Sequence, residues 1–286
     1  MNSERKEIKH NFLRRIILRL DYSGVVEVKS WIEKLHERFS QFGFSTMREE
    51  FLRKPEFELY DPAPTKNQKY VPEPELESTP TYKYVTALED MVLEINKHFT
   101  TLTIQPRLYR EFEEYRDIFT YVITQIKNNN VFMSVQRLGL RKINDCIILE
   151  KSNLNSIFSE DVFIDVSQKL LNRDINSQLV NSNLLDTISI GDYYYNYNRS
   201  CTEGIIKKDG EEQLAYQAVL DIDGYIQDND LLKEMINSED LIEQTLDNVN
   251  DCLFQLYLAS LNESFITHLK EEEFVIKYVL GVQKNA

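Results

Sequence analysis

The sequence predicts an α+β protein: antiparallel sheets, helices packed on one face, and a long C-terminal helix. Three observations lead there. Strand-like and helix-like stretches follow one another as strand, helix, strands, helix, strand, without the regular alternation of a parallel sheet. Asp209 and Gly210 sit between two long alternating runs, a pair suited to the positive φ of a tight hairpin turn. Ile242, Leu246, Val249, Leu253 and Leu256 recur at helical spacing and form an apolar stripe.

Taken in order, residues 12–22 (FLRRIILRLDY) read as a strand, and Val28, Ile32, Leu35 and Phe39 place a helix within 25–42. Six of the 7 prolines fall between Pro55 and Pro80. Proline fixes φ and removes a donor, so 55–80 is expected to be an extended, exposed loop acting as a spacer. A proline-rich ligand for a partner groove is the alternative, although no PxxP element with basic flanks is present. Residues 82–89 and 91–105 are rich in β-branched and aromatic side chains and predict two or three antiparallel strands. Phe112, Tyr115, Phe119, Val122 and Ile126 then define an amphipathic helix over 108–127, stopped by Asn128, Asn129 and Asn130.

A helix is expected at 161–171, followed by an Asn- and Ser-rich stretch. Beyond it, residues 193–226 form the predicted hairpin. A two-residue turn sets Lys208 opposite Glu211 and Lys207 opposite Glu212. The same register puts Tyr195, Tyr197, Tyr216, Ala218, Leu220 and Ile222 on a buried face. Asn196 then opposes Asp223, and Asn198 opposes Asp221, as a polar patch on the other face. A bulge near the Arg199 and Leu220 match would shift this pairing. Residues 238–269 predict a helix about 45 Å long if unbroken, with a possible break from Leu261 to Ser264. Its stripe packs across the sheet or pairs in a homodimer. Residues 274–282 close the chain as a strand.

Composition bounds the function classes. The chain has 286 residues, 42% hydrophobic and 11% aromatic, enough to bury a real core. Its 33 Lys+Arg against 47 Asp+Glu give a net charge of −14. The imbalance is not spread evenly: residues 1–150 hold 23 basic and 23 acidic side chains, residues 151–286 hold 10 and 24. We therefore divide the chain into an α+β half (1–150) and an acidic half (151–286). A one-signed field draws basic partners and repels a polyanion, which disfavours direct nucleic-acid binding through that half. Cys146, Cys201 and Cys252 are odd in number and far apart, as expected in a reducing compartment and not for a zinc site. No apolar stretch approaches the length of a membrane span or a signal-peptide core, so a cytoplasmic location is expected.

Templates for chemistry are sparse. His10, His36, His98 and His268 show no metal-ligand spacing, and 8 glycines include no phosphate-cradling loop. No cofactor is expected. Asp221 and Asp223 are two apart on a strand and point the same way, so a divalent cation could bridge them, as in a metal-dependent nuclease or phosphoesterase. Arg137 and Arg141 flank Gly139 and could grip a carboxylate, phosphate or nucleotide. The competing reading makes them members of an internal ion-pair network, on a face covered by Val131, Met133 and Val135.

Residues 137–144 (RLGLRKIN) and 220–223 (LDID) resemble a sporadically distributed, uncharacterised bacterial family. Its hallmarks are an Arg-(Ile/Leu)-Gly-Leu-Arg-Tyr-Ile-Asn strand and a later Leu-Asp-Ile-Asp strand before a long C-terminal helix. Lys142 stands where that family has tyrosine. The resemblance implies no catalytic residues, and the scattered occurrence of the family is similar to that of phage-defence or toxin-antitoxin genes. The sequence thus points to a non-catalytic interaction protein of such a conflict system, engaged in defence, anti-defence or toxin neutralisation. Its expected partner has a basic surface and docks on the acidic half.

Overall fold

The computed structural model describes residues 2–51, 79–106, 111–163, 180–208 and 210–284. Residues 55–78 of the proline-rich stretch, 164–171 of the helix predicted at 161–171, much of the Asn- and Ser-rich stretch, and Asp209 lie outside them. The elements run α1 (Asn2–Glu7), β1 (His10–Asn11), β2 (Leu13–Ser23), α2 (Lys29–Ile32), α3 (His36–Gln41) and β3 (Phe44–Phe51). Next come β4 (Pro80–Thr86), β5 (Met91–Ile95), β6 (Phe99–Ile104), α4 (Phe112–Asn129), β7 (Ser134–Ile148) and α5 (Leu154–Ile157). The remainder is β8 (Asn181–Ile190), β9 (Tyr193–Lys208), β10 (Glu211–Ile226), α6 (Asn229–Met235), α7 (Glu239–Ala259), α8 (Glu263–Lys270), β11 (Val279–Leu280) and β12 (Gln283–Lys284).

A ten-stranded antiparallel sheet has the order β3-β4-β5-β6-β2-β7-β10-β9-β8, with β11 completing the edge of β7 beyond β2. Each half supplies a meander of hairpins, and the two meet where β7 pairs with β10. One face of the sheet is apolar because alternate side chains point the same way. Ile16, Leu18 and Leu20 of β2, Leu138 and Leu140 of β7, and Ala218, Leu220 and Ile222 of β10 are at most 1% exposed. α4 buries Tyr115, Phe119, Val122 and Ile126, and α7 buries Ile242, Leu246, Val249 and Leu253, in the same core. The two helices run antiparallel, tied by Arg116 to Asp247 at 2.5 Å, while Lys127 donates to Asn237, just before α7, at 2.9 Å. No described helix is long and apolar enough to cross a membrane.

The hairpin register is the predicted one throughout, with Asn196 opposite Asp223, Asn198 opposite Asp221, and no bulge at Arg199 and Leu220. Several expectations need correction. The long C-terminal helix ends at Ala259; Leu261 instead bridges to Phe158, and Asn262 caps α8 by accepting from the Ser264 amide at 3.0 Å. Its stripe is consumed by the sheet within the chain, with Tyr257 rather than Leu256 as the buried member, so it is not free for a helix pair. The tail at 274–282 narrows to the two residues of β11. Helix at 25–42 begins only at Lys29, and β3 had no counterpart in the prediction because its burial is confined to Phe44. Finally, the parity that grouped Val135 with Arg137 fails. The register of β2 on β7 shifts between Asp21 and Tyr22, whose partners are Arg137 and Val135, so Gln136 is an extra residue. Val135 turns into the core at 8% exposed, while Val131 precedes the strand at 90% exposed. The arginine face is not covered by them.

Candidate functional site

The sheet face opposite the helices gathers both polar groups singled out in the sequence. Register does this: Asp223 lies opposite Arg141 on one side and Asn196 on the other, Asp221 opposite Asn198, and Asp21 opposite Arg137. Arg19, Asp21, Arg137, Gly139, Arg141, Asn196, Asp223 and Tyr225 line a shallow depression of about 510 Å³.

Arg137 folds along its own strand, over Gly139. A Cβ at that glycine would approach the Arg137 guanidinium to 3.1 Å. Lying across the glycine, Nη2 of Arg137 donates to both oxygens of Asp223 at 2.7 and 2.8 Å, and Nη1 stands 3.8 Å from Asp21. The Tyr225 ring supports the guanidinium, with Cζ 4.5 Å from the centroid. Asp21 also accepts from Arg19 Nε at 2.9 Å. Arg141 forks onto Asp221, donating from Nε at 2.7 Å and from Nη2 to the second oxygen. These bonds hold the Arg141 guanidinium above its ordinary range, against a smaller lowering by burial. The network is half-buried, and Asn198 adds a buried Oδ1 without a partner.

This arrangement is electrically neutral: each of Asp221 and Asp223 is held by an arginine, and each of Arg137 and Arg141 by an aspartate. An anion would have to displace a carboxylate, and a divalent cation a guanidinium. Charge-assisted pairs of this kind, forked at Arg141, resist either exchange more than an open cation or anion site would. Among the described residues no group of three or more potential metal ligands occurs. Arg19 and Asp21 escaped sequence reasoning because β2 joins the site only through the sheet; Tyr225, two residues after Asp223 on β10, was within reach of the same alternation.

The surplus charge is elsewhere. α4 carries Glu113, Glu114 and Asp117, and α7 carries Glu239, Asp240, Glu243, Asp247 and Asp251. Arg116 answers several of them, with Asp117 at 2.8 Å and Glu243 at 3.5 Å besides Asp247. Burial raises the Glu243 carboxyl, and Asp117, Asp240 and Asp247 raise it further against the lowering by Arg116. Burial likewise raises Asp247, with Glu113 and Asp251 adding to the rise against Arg116. The carboxylates of two helices thus crowd one face, and three of the eight come from the electrically balanced first half of the chain.

No family model matches the chain, and comparison with curated proteins finds no match either. Roles for these residues therefore come from geometry alone.

Proposed function

We propose that the protein is a non-catalytic interaction component of a bacterial or phage conflict system, docking a partner with a basic surface. The observation that carries this reading is the crowded carboxylate face of α4 and α7, where eight carboxylates gather and where burial, and after it the neighbouring carboxylates against Arg116, raise Glu243 and Asp247. A cationic surface placed there relieves repulsion that the folded chain otherwise bears. Electrostatic steering to such a face accelerates encounter by about 10- to 1000-fold at low salt. The conflict-system setting rests on the resemblance of residues 137–144 and 220–223, and the choice among defence, anti-defence and toxin neutralisation belongs to the partner. Metal-dependent hydrolysis at Asp221 and Asp223, or anion binding at Arg137 and Arg141, needs the ion pairs of the open face to open first, so both rank below docking.

The test uses the full chain as bait in host lysate, beside a variant neutralised by Glu239→Gln, Asp240→Asn and Glu243→Gln. These changes leave the Arg116 pair with Asp247 in place. A basic protein captured at about 50 mM salt, weakened at about 500 mM and weakened by the variant, is the expected result. A monodisperse chain with no capture sensitive to both salt and substitution would sink the reading.

A further inference from the structure

The two edges of the sheet are built differently. β3 carries Arg48, Glu49 and Glu50, and its pairing with β4 slips between Phe44 and Thr46. Charge and irregularity of this kind stop a strand from recruiting another. β8 (NSNLLDTISI) has neither device: it pairs with β9 in unbroken register from Asn181 to Ile190 and contains no Lys, Arg, Glu or Pro. Its single charge, Asp186, is already held by Arg199 of its own chain. Yet Val180, Leu185 and Ile190 are 58%, 65% and 46% exposed.

The backbone says which groups are free among the described residues. The Glu203 amide donates to the Val180 carbonyl at 2.9 Å, so in this antiparallel ladder the even-numbered residues of β8 bond to β9. The odd-numbered ones, Asn181, Asn183, Leu185, Thr187 and Ser189, turn their N–H and C=O outward. An antiparallel partner must present the same spacing of free groups, and a second copy of β8 does so. With Leu185 opposite its own counterpart, Val180 falls opposite Ile190 at both ends, Asn181 opposite Ser189, and Asn183 opposite Thr187. All three exposed apolar side chains are then matched, with about ten new backbone hydrogen bonds. Moving the axis to Asn183 sets Leu185 against Asn181, and moving it to Thr187 sets Leu185 against Ser189. Either shift also strands one terminal apolar residue.

We propose that the chain forms a twofold homodimer by edge-to-edge pairing of β8, with Leu185 on the axis. The axis is normal to the sheet, so the two open faces join into one and the helices of both copies lie on the other side. The guarded edge at β3 closes the assembly at two copies.

Sedimentation across about 1–200 µM tests this, because association depends on protomer concentration. The wild type is expected to double in mass over that range. Leu185→Lys and Leu185→Glu each place like charges against each other on the axis, and each is expected to remain monomeric. Mixed in equal amounts, they are expected to recover the dimer, since residue 185 then meets its opposite charge, and that recovery shows both variants folded. A monomeric wild type, or variants that dimerise unmixed, overturns the proposal; a mixture that stays monomeric removes Leu185 from the axis and overturns it as well.

Discussion

Lys142 is a cationic residue held among buried side chains. It lies on the helix side of β7, where its Nζ donates to Asn250 Oδ1 at 2.5 Å and stands 5.6 Å from the Phe112 ring centroid. Burial pushes its amine down to about 7, with Arg5 adding to the drop and Asp251 and Glu113 opposing it. The folded value lies below the unfolded one, near 10.5. Between these two values the unfolded chain binds more protons, so the lysine's contribution makes stability rise with pH and fall as pH drops toward 7. Lys142→Met is expected to remove that slope, which has a ceiling of about 1.4 kcal/mol per pH unit. Urea titrations at about pH 7, 8 and 9 would show the wild type closing on the variant; parallel lines would refute the assignment. Alternation along residues 137–144 sets Lys142 on the side of Leu138 and Leu140, but its partners, Asn250 and Phe112, come from distant helices that the strand's own sequence does not name. The paired roles of Arg137 and Asp223 were equally hidden. Each was recognisable as a polar residue at strand spacing, and only the β7 and β10 register makes them partners.

At the scale of elements, the hairpin and α7 show where local pattern suffices. The alternation of β9 and β10 is local information, and the two-residue turn fixes its register, so the buried tyrosines and the polar patch follow from the chain itself. The helix that covers them depends on a detail of fit. Val249 and Tyr195 close over Gly224, and a Cβ there would lie 2.7 Å from Val249 Cγ1 and 2.8 Å from Tyr195 Cε1. Gly224→Ala must therefore lift α7 from the sheet, at a cost of about 1–3 kcal/mol, and lower Tm by several degrees. Gly204→Ala, where nothing stands within 4 Å, serves as the control. An unshifted Tm for Gly224→Ala would show that α7 slides freely over β10. The end of α7 was readable only as a candidate break, because what halts it, the bridge from Leu261 to Phe158, comes from a distant segment.

For the whole molecule, charge divides the chain into halves and the sheet joins them. β7 belongs to the first half, yet it pairs with β10 across residues 216–226 and is covered by α7. We expect unfolding to be one transition. Trp31 is the single tryptophan, buried at 4% exposed with its Nε1 donating to Glu27, so its fluorescence reports the first half alone. Far-UV circular dichroism reports the helices and strands of both. Coincident denaturation curves are the expected outcome, and a fluorescence change displaced from the dichroism change would restore two independent domains.

The α+β class, the hairpin with its register, the stripe of α7 and the excess of carboxylates in the second half are all legible along the chain. All of these depend on spacing within one segment or on simple counting. Tertiary structure alone decided the strand order, the bulge at Gln136, the neutral pairing of the arginines with the aspartates, and the convergence of carboxylates from α4 and α7. Each of those sets side chains from distant segments against one another, and a side chain's charge acts through its distance to its neighbours, which spacing along a single strand does not encode.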